Sequence, residues 1–283
     1  MQDPPDHVTA GHLAGVVLAA GAGTRLRPLT EVRPKALCPV GGIPLVDHAL
    51  ERLTAIVGHG PDRLAVNAHH HADQIIAHVG SRTHVSVEHP EALGTAGALG
   101  ALRDWLDDRD VLLTNADTFL PAGLRLADGT PFTVGWDGER CRLACVPAPS
   151  GRADFTLADG SGVRYVGACL LPRAAVRALA ATPSGLYEVL WRQADERGAL
   201  DLRLIEGPAV DCGTVGDYLR ANLLVSAGGN VIGAAAKVEG RVTRCVIWDG
   251  ARVGPDEYLV DVVRAEAPDG TVLTVGASPS PPP

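Results

Sequence analysis

The sequence predicts an α/β protein: a Rossmann-like, mostly parallel mixed sheet flanked by helices, followed by a short C-terminal β extension. Three observations predict it. The apolar run Gly15-Val16-Val17-Leu18-Ala19-Ala20 stops at Gly21, as a buried parallel strand does. From there, strand-like and helix-like segments alternate with short links, the pattern of a sheet covered on both faces. After Gly228, Val231, Val238, Val242, Ile247 and Val253 recur at intervals near six among small residues. That repeat is short enough for a partial left-handed β-helix, with a plain β-hairpin extension as the alternative.

The elements follow in order. After the first strand, a loop punctuated by Gly and Pro runs from Gly21 to Gly42. A helix then starts near Pro44, with Leu45, Val46, Ala49, Leu50, Leu53 and Ile56 on one face. Arg63 to Ala68 reads as a strand, Ala72 to Val79 as a helix, and His84 to Glu88 as a strand. Thr95 to Leu106 reads as a helix and Val111 to Thr114 as a strand. Cys141 to Val146 and Val163 to Leu171 are the next strands, then helices near Arg173 to Ala181 and Leu186 to Arg197. A strand at Asp201 to Glu206 and a helix at Val215 to Ser226 complete the set. The expected organisation is a flexible N-terminus (1–13), a main domain (14–227), the β extension (228–276) and a disordered Ser/Pro tail (277–283).

Composition narrows the function. The chain has 283 residues, enough to bury a full α/β core. A net charge of −8 argues against a nucleic-acid partner, which needs a basic face. No segment approaches the roughly 18 apolar residues of a membrane span, and Met1 to Leu13 lacks the pattern of a signal peptide, so a cytoplasmic location is expected. The six cysteines are scattered without zinc spacing and read as reduced thiols. His69-His70-His71 and His78 read as a solvated helix start rather than as metal ligands.

Three motifs carry chemistry. The first is Leu18-Ala19-Ala20-Gly21-Ala22-Gly23-Thr24-Arg25-Leu26-Arg27-Pro28-Leu29-Thr30, followed by Pro34-Lys35. Glycines let backbone N–H groups approach phosphate oxygens. Leu26 stands where a dinucleotide fold places its third glycine, and no Gly-Lys-Ser/Thr follows for a P-loop. Arg25 and Lys35 together can hold a triphosphate and offset charge on a pyrophosphate leaving group. The second motif is Glu91-Ala92-Leu93-Gly94-Thr95-Ala96-Gly97, at a strand-to-helix junction. The third is Asn115-Ala116-Asp117 at a strand end, with Val210-Asp211-Cys212-Gly213-Thr214 downstream. Strand-end aspartates suit Mg²⁺ on a bound triphosphate, since Mg²⁺ takes one or two carboxylates plus phosphate oxygens.

The first motif resembles the signature of the sugar-1-phosphate nucleotidylyltransferases, L-A-A-G-x-G-T-R-L-x-P-L-T and then P-K. The resemblance runs from about Gly15 to Asn222 and implies an NTP and a sugar 1-phosphate as substrates. It implies nucleotide binding by Leu18, Ala20, Gly21, Gly23, Thr24, Arg25, Glu91, Gly94, Thr95 and Asn115, with Arg25 and Lys35 catalytic. Asp117 and Asp211 become the Mg²⁺ ligands. Ala116 and Ala209 depart from the family's glycine and tryptophan. The Glu91 carboxylate, which can accept from two guanine N–H donors, tilts the reading modestly to GTP. Many members carry a sugar-phosphate lysine, yet no lysine lies between Lys35 and Lys237. Arg152, Asp154, Gly167 and Glu188 are the implied acceptor residues, with Arg152 or Arg164 replacing that lysine. This gap resembles a compact subgroup that includes N-acetylmuramate-1-phosphate uridylyltransferases. A uridylyltransferase using an amino-sugar or cyclitol phosphate therefore stays open, as does a silent nucleotide-sugar-binding regulator. The β extension is a candidate homo-oligomer contact.

Overall fold

The computed structural model describes residues 12–148 and 152–276. All but the last two residues of the expected flexible N-terminus, and the whole expected tail at 277–283, lie outside the described residues. In chain order the elements begin with β1 (Leu13–Leu18), α1 (Leu29–Val32), β2 (Pro39–Val40), β3 (Ile43–Pro44), α2 (Leu45–Val57), β4 (Leu64–Ala68) and α3 (Ala72–Val79). Next come β5 (His84–Val87), α4 (Gly94–Ala101), α5 (Arg103–Leu106), β6 (Asp110–Asn115), β7 (Thr118–Phe119), β8 (Arg142–Pro147), β9 (Phe155–Thr156) and β10 (Gly162–Leu171). Then follow α6 (Arg173–Arg177), a π-helical turn (Tyr187–Trp191), α7 (Arg192–Glu196), β11 (Asp201–Leu204), β12 (Val210–Asp211) and α8 (Val215–Val225). The C-terminal strands are β13 (Val231–Ile232), β14 (Lys237–Val238), β15 (Arg241–Thr243), β16 (Val246–Ile247), β17 (Arg252–Val253), β18 (Tyr258–Val260), β19 (Val262–Glu266) and β20 (Val272–Gly276).

These elements form two compact units. One takes the chain up to residue 21, 49–116 and 120–209; the other takes 22–48, 117–119 and 210 onwards. The first unit holds a sheet in the order β11-β8-β10-β6-β1-β4-β5, with β9 on β10. β1 runs parallel to β4 and β6, and β4 to β5, while β10 is antiparallel to β6 and β8. This is the mixed, mostly parallel sheet the sequence predicts. Alternate residues of β1 face opposite sides. Ala14 and Val16 pack with Leu99 of α4, Leu106 of α5 and Leu102 between them, and with Val176 and Trp191, while Gly15 lies against Leu53 and Val57 of α2. Both faces are therefore covered by helices.

Two predicted helices differ. The stretch from Arg173 ends at Arg177, because residues 180–184 run along α4 instead: Ala96 N donates to Ser184 O at 3.0 Å and Ser184 N to Leu93 O at 2.9 Å. The helix predicted from Leu186 opens as a π turn, with the Leu186 N–H taken by Thr95 Oγ1 at 2.8 Å.

In the second unit, α8 and the C-terminal strands enclose a separate core of Leu26, Leu29, Leu45, Tyr218, Leu219, Val246 and Trp248. β13 pairs parallel with β16, β14 with β17, β15 with β18, and β16 with β19. Successive coils therefore stack in register, as the six-residue repeat predicts, around Cys245, Ile247, Ala251 and Val253. β19 and β20 close the stack as an antiparallel hairpin, so both expected readings are present in part. Among the described residues no helix is long and apolar enough to cross a membrane.

Candidate active site

The glycine loop of the second unit is built for close quarters. Gly23 takes φ +61° at the head of a 3-10 turn, Thr24–Leu26. A Cβ there would lie 2.8 Å from Thr30 Cγ2 and 3.0 Å from Lys35 Cβ, so both the conformation and the gap require glycine. Thr30 Oγ1 donates to the Gly23 carbonyl at 3.0 Å and ties the loop shut. Leu26 and Leu29 are fully buried, so the motif's leucines anchor its polar residues to the core. Pro34 precedes a second 3-10 turn, Lys35–Leu37, which fixes the Lys35 backbone.

Lys35 is 7% exposed, and its Nζ is the centre of the cluster. It lies 2.6 Å from Asp117 Oδ2 and 3.5 Å from Asp211 Oδ1, while Arg25 Nη2 lies 3.5 Å from Asp211 Oδ2. The carboxylates meet because β7 and β12 pair antiparallel. Asp211 stands opposite Thr118, and Cys212 N donates to Asp117 O at 2.9 Å. The two sequence motifs thus converge on one ammonium. Two carboxylates facing a common cation form a hard oxygen donor set that suits Mg²⁺, whose remaining ligands are ordinarily substrate phosphates and water. Among the described residues no group of three or more His, Cys, Asp or Glu that could hold a metal ion occurs.

Gly213 was missed as a site residue by sequence reasoning. A Cβ there would lie 2.5 Å from Arg25 Nη2 and 2.9 Å from Asp211 Oδ1. Its bare backbone is what lets Arg25 lie over Asp211. Thr214 caps α8 by accepting from Asp217 N at 3.2 Å and donating to Asp217 Oδ2 at 2.7 Å. Cys212 is held as a neutral thiol by burial, reinforced by the Asp117 carboxylate.

The first unit carries the other predicted residues. Leu18 and Asn115 are paired at the ends of β1 and β6, and Ala116 N donates to Leu18 O at 2.9 Å. Ala20 and Gly21 follow β1, with Gly21 exposed. Gly94 takes φ +70°, and a Cβ there would lie 2.6 Å from Ser184 O. Cβ atoms at Gly97 and Gly100 would collide with the backbone of Thr182 and Ala180. These three glycines, one turn apart, give α4 a bare face flush with residues 180–184, and Thr95 Oγ1 accepts from Leu186 N just beyond that segment. Glu91 is exposed. The buried carboxylate at this turn is Glu88, 3% exposed, which accepts from Asn67 Nδ2 and from Leu93 N, both at 2.7 Å. Its signal in the sequence is a lone asparagine inside the apolar strand Leu64–Ala68.

On the implied acceptor side, Asp154 Oδ2 accepts from Tyr165 N at 2.9 Å, and Arg152 is exposed two residues upstream. Gly167, at φ +76°, sits where the β10–β8 register shifts between Tyr165 and Cys169. Glu188 lies on the π turn with its carboxylate folded back over Gly185, and Arg164 is half-buried. The His69 ring donates from Nδ1 to Glu88 O at 2.9 Å, since a carbonyl only accepts, and His70 and His71 stack edge-on at 4.2 Å. The six cysteines are buried and unpaired with one another.

Comparison with known proteins gives the same direction. Residues 14–127 match the family described as Nucleotidyl transferase. The N-acetylmuramate alpha-1-phosphate uridylyltransferase of Caulobacter vibrioides is 40% identical over 133 residues, 44% of this chain and 53% of that protein. The glucose-1-phosphate thymidylyltransferase of Streptomyces griseus is 30% identical over 238 residues, 75% of this chain and 66% of that protein. The alignment with the Caulobacter protein thus spans about half of that relative's length. A crystal structure from Thermus thermophilus, described as a mannose-1-phosphate geranyltransferase, superposes with TM-score 0.62 at 18% identity over 93% of this chain and 95% of that one, and it shares the fold. Through the domain at residues 14–127, the chain belongs to the nucleotidyl transferase family.

Proposed function

We propose that this chain joins a nucleoside triphosphate to a sugar 1-phosphate and releases pyrophosphate. The observation that carries the reading is the buried Lys35 ammonium set against Asp117 and Asp211, with Arg25 on the same loop. An anionic oxygen of the sugar phosphate attacks the α-phosphorus. A new P–O bond forms, the bond to the α,β-bridging oxygen breaks, and its electron pair leaves on pyrophosphate. The nucleophile is already ionised near neutral pH, because a phosphate monoester loses its second proton near pH 6. No side chain need serve as base, so positioning and charge stabilisation do most of the catalysis.

Each residue then has a task. The Gly21–Thr24 backbone cradles the triphosphate, and Arg25 and Lys35 offset charge on the leaving group. Asp117 and Asp211 would hold Mg²⁺, which would supply positive charge to offset that of the triphosphate. Leu18, Ala20 and Asn115 border the nucleotide, and Glu91, Gly94 and Thr95 form the base turn. Arg152, Asp154, Gly167 and Glu188 receive the acceptor. The product is a nucleotide sugar made in the cytoplasm.

GTP is the first triphosphate to test, on the Glu91 argument. UTP with an amino-sugar or cyclitol phosphate is the second reading, favoured by the absence of lysine between Lys35 and Lys237 and by the 40% identity to a protein named as a uridylyltransferase. Pyrophosphate release with Mg²⁺, each common triphosphate crossed with a panel of sugar 1-phosphates, tests both. Turnover with one pair supports the reaction. Silence across the panel, with thermal stabilisation by a nucleotide sugar, turns the reading to a binding protein.

A further inference from the structure

At the ends of three neighbouring strands lies a buried polar chain that the proposed reaction does not use directly. Asn67, 3% exposed, accepts from Ala19 N on Oδ1 at 2.6 Å and donates from Nδ2 to Glu88 Oε1 at 2.7 Å. Glu88, equally buried, accepts from Leu93 N on Oε2 at 2.7 Å. The Glu88 backbone is clamped as well: its N–H donates to Ala68 O at 2.8 Å, and its carbonyl accepts from His69. The sheet does not need these side chains, since the ladders of β1, β4 and β5 close through backbone groups. A carboxylate buried at a strand end costs free energy that an apolar residue would not. Its two oxygens, and the asparagine between, instead fix two particular peptide groups. One is Ala19, where the glycine loop leaves β1. The other is Leu93, immediately before Gly94 and α4.

We infer that the Asn67–Glu88 pair is a positioning element for the nucleotide, locking the start of the glycine loop and the Leu93–Gly94 turn into one fixed arrangement. Resting on the proposed nucleotide reading, it assigns the organising role at this turn to Glu88 rather than to the exposed Glu91. A rigid backbone at both places lowers the ordering cost of binding.

The test exploits the direction of each hydrogen bond. Glu88→Gln has one acceptor where glutamate has two, so whichever way the amide turns, an N–H group faces either Asn67 Nδ2 or Leu93 N. Asn67→Asp combined with Glu88→Gln reverses the middle bond and restores all three, with the charge of the pair unchanged. The assay is calorimetric binding of Mg²⁺ complexes of ATP, CTP, GTP, UTP and dTTP, with acceptor KM and thermal midpoint measured alongside. Glu88→Gln should weaken the preferred triphosphate about tenfold, the factor expected for one lost charge-assisted bond. Acceptor KM should stay within about twofold, and the double variant should recover to within about threefold of wild type. Asn67→Ser, which shortens the bridge, provides the same readout where Glu88→Gln does not fold. Wild-type affinity in these single variants, equal losses for both substrates, or a double variant no better than Glu88→Gln overturns the inference. A wild-type protein that binds no triphosphate overturns the reading beneath it, and the inference with it.

Discussion

Replacing Lys35 by methionine separates catalysis from stability, because the stem is kept and only the ammonium is lost. That ammonium lies 2.6 Å from Asp117 and 3.5 Å from Asp211, whose side chains are 31% and 49% exposed. Water reaches both carboxylates, so each contact contributes near the screened limit of about 1 kcal/mol for charges 4 Å apart. The expected destabilisation is about 1–2 kcal/mol, a fall of a few degrees in thermal midpoint. Transition-state charge is another matter. Deleting one preorganised electrostatic contact costs about 10²–10³ in kcat. Lys35→Arg should not rescue turnover, because a planar guanidinium does not fit a position that is 7% exposed and packed under Gly23.

The same variant should gain affinity for Mg²⁺ alone. With the ammonium gone, Asp117 and Asp211 face each other with Arg25 as the remaining cation described beside them. Calorimetric titration of nucleotide-free protein should show Mg²⁺ binding about tenfold tighter than to wild type, the equivalent of the screened attraction removed. Steady-state pyrophosphate release and a melting curve complete the assay. A kcat within about threefold of wild type would refute the electrostatic reasoning, and a collapse in thermal midpoint would make Lys35 a structural residue.

Three further outcomes follow from the packing. Arg142 is fully buried, bonding Asp201 Oδ2 at 2.6 Å and the carbonyls of Phe132, Val134 and Gly135, so Asp201→Ala should cost about 3–5 kcal/mol in urea unfolding. Arg142→Met with Asp201→Leu should cost less than that single variant. Gly97→Ala should destabilise by about 1–3 kcal/mol, although alanine favours helices, because its Cβ would meet the Thr182 carbonyl; a neutral or stabilised variant would contradict the close approach. Burial pushes the Cys38, Cys141 and Cys145 thiols up from 9.0 to about 12. Their neutral forms are favoured by folding, so this stabilisation is complete below pH 9 and declines as pH rises towards 12. Native protein at pH 8 should therefore show no fast-reacting thiol with a disulfide reagent, and all six cysteines should react after denaturation.

Local patterns announce the β1 strand, the α3 helix and the stacked coils after Gly228, because burial there repeats at the period of the backbone itself. They are silent where a distant segment decides. The helix expected to reach Ala181 stops at Arg177 because residues 180–184 serve α4, whose bare glycine face they cover. A motif position also draws attention to Glu91, yet the buried carboxylate is Glu88, whose partner Asn67 is twenty-one residues away along the chain. The glycines of Gly94-Thr95-Ala96-Gly97 likewise fit two jobs, and only the contact with Ser184 and Thr182 reveals the packing one.

The charged centre shows the same division most sharply. Asp117 and Asp211 are legible as strand-end carboxylates, but their meeting depends on a ladder of just two residue pairs, Phe119 with Val210 and Thr118 with Asp211. So short a ladder holds no register by hydrogen bonding alone. On β12 it is held by the alternation of side chains: Val210 and Cys212 are buried in the second unit's core, while Asp211 between them stands partly in solvent. A slip by one residue would bury Asp211 and expose Val210 or Cys212, exchanging a satisfied core for an unpaired buried charge. The apolar residues on either side of Asp211 thus fix where it stands. Substitutions at Val210 or Cys212 should accordingly disturb the Lys35 cluster without touching a phosphate.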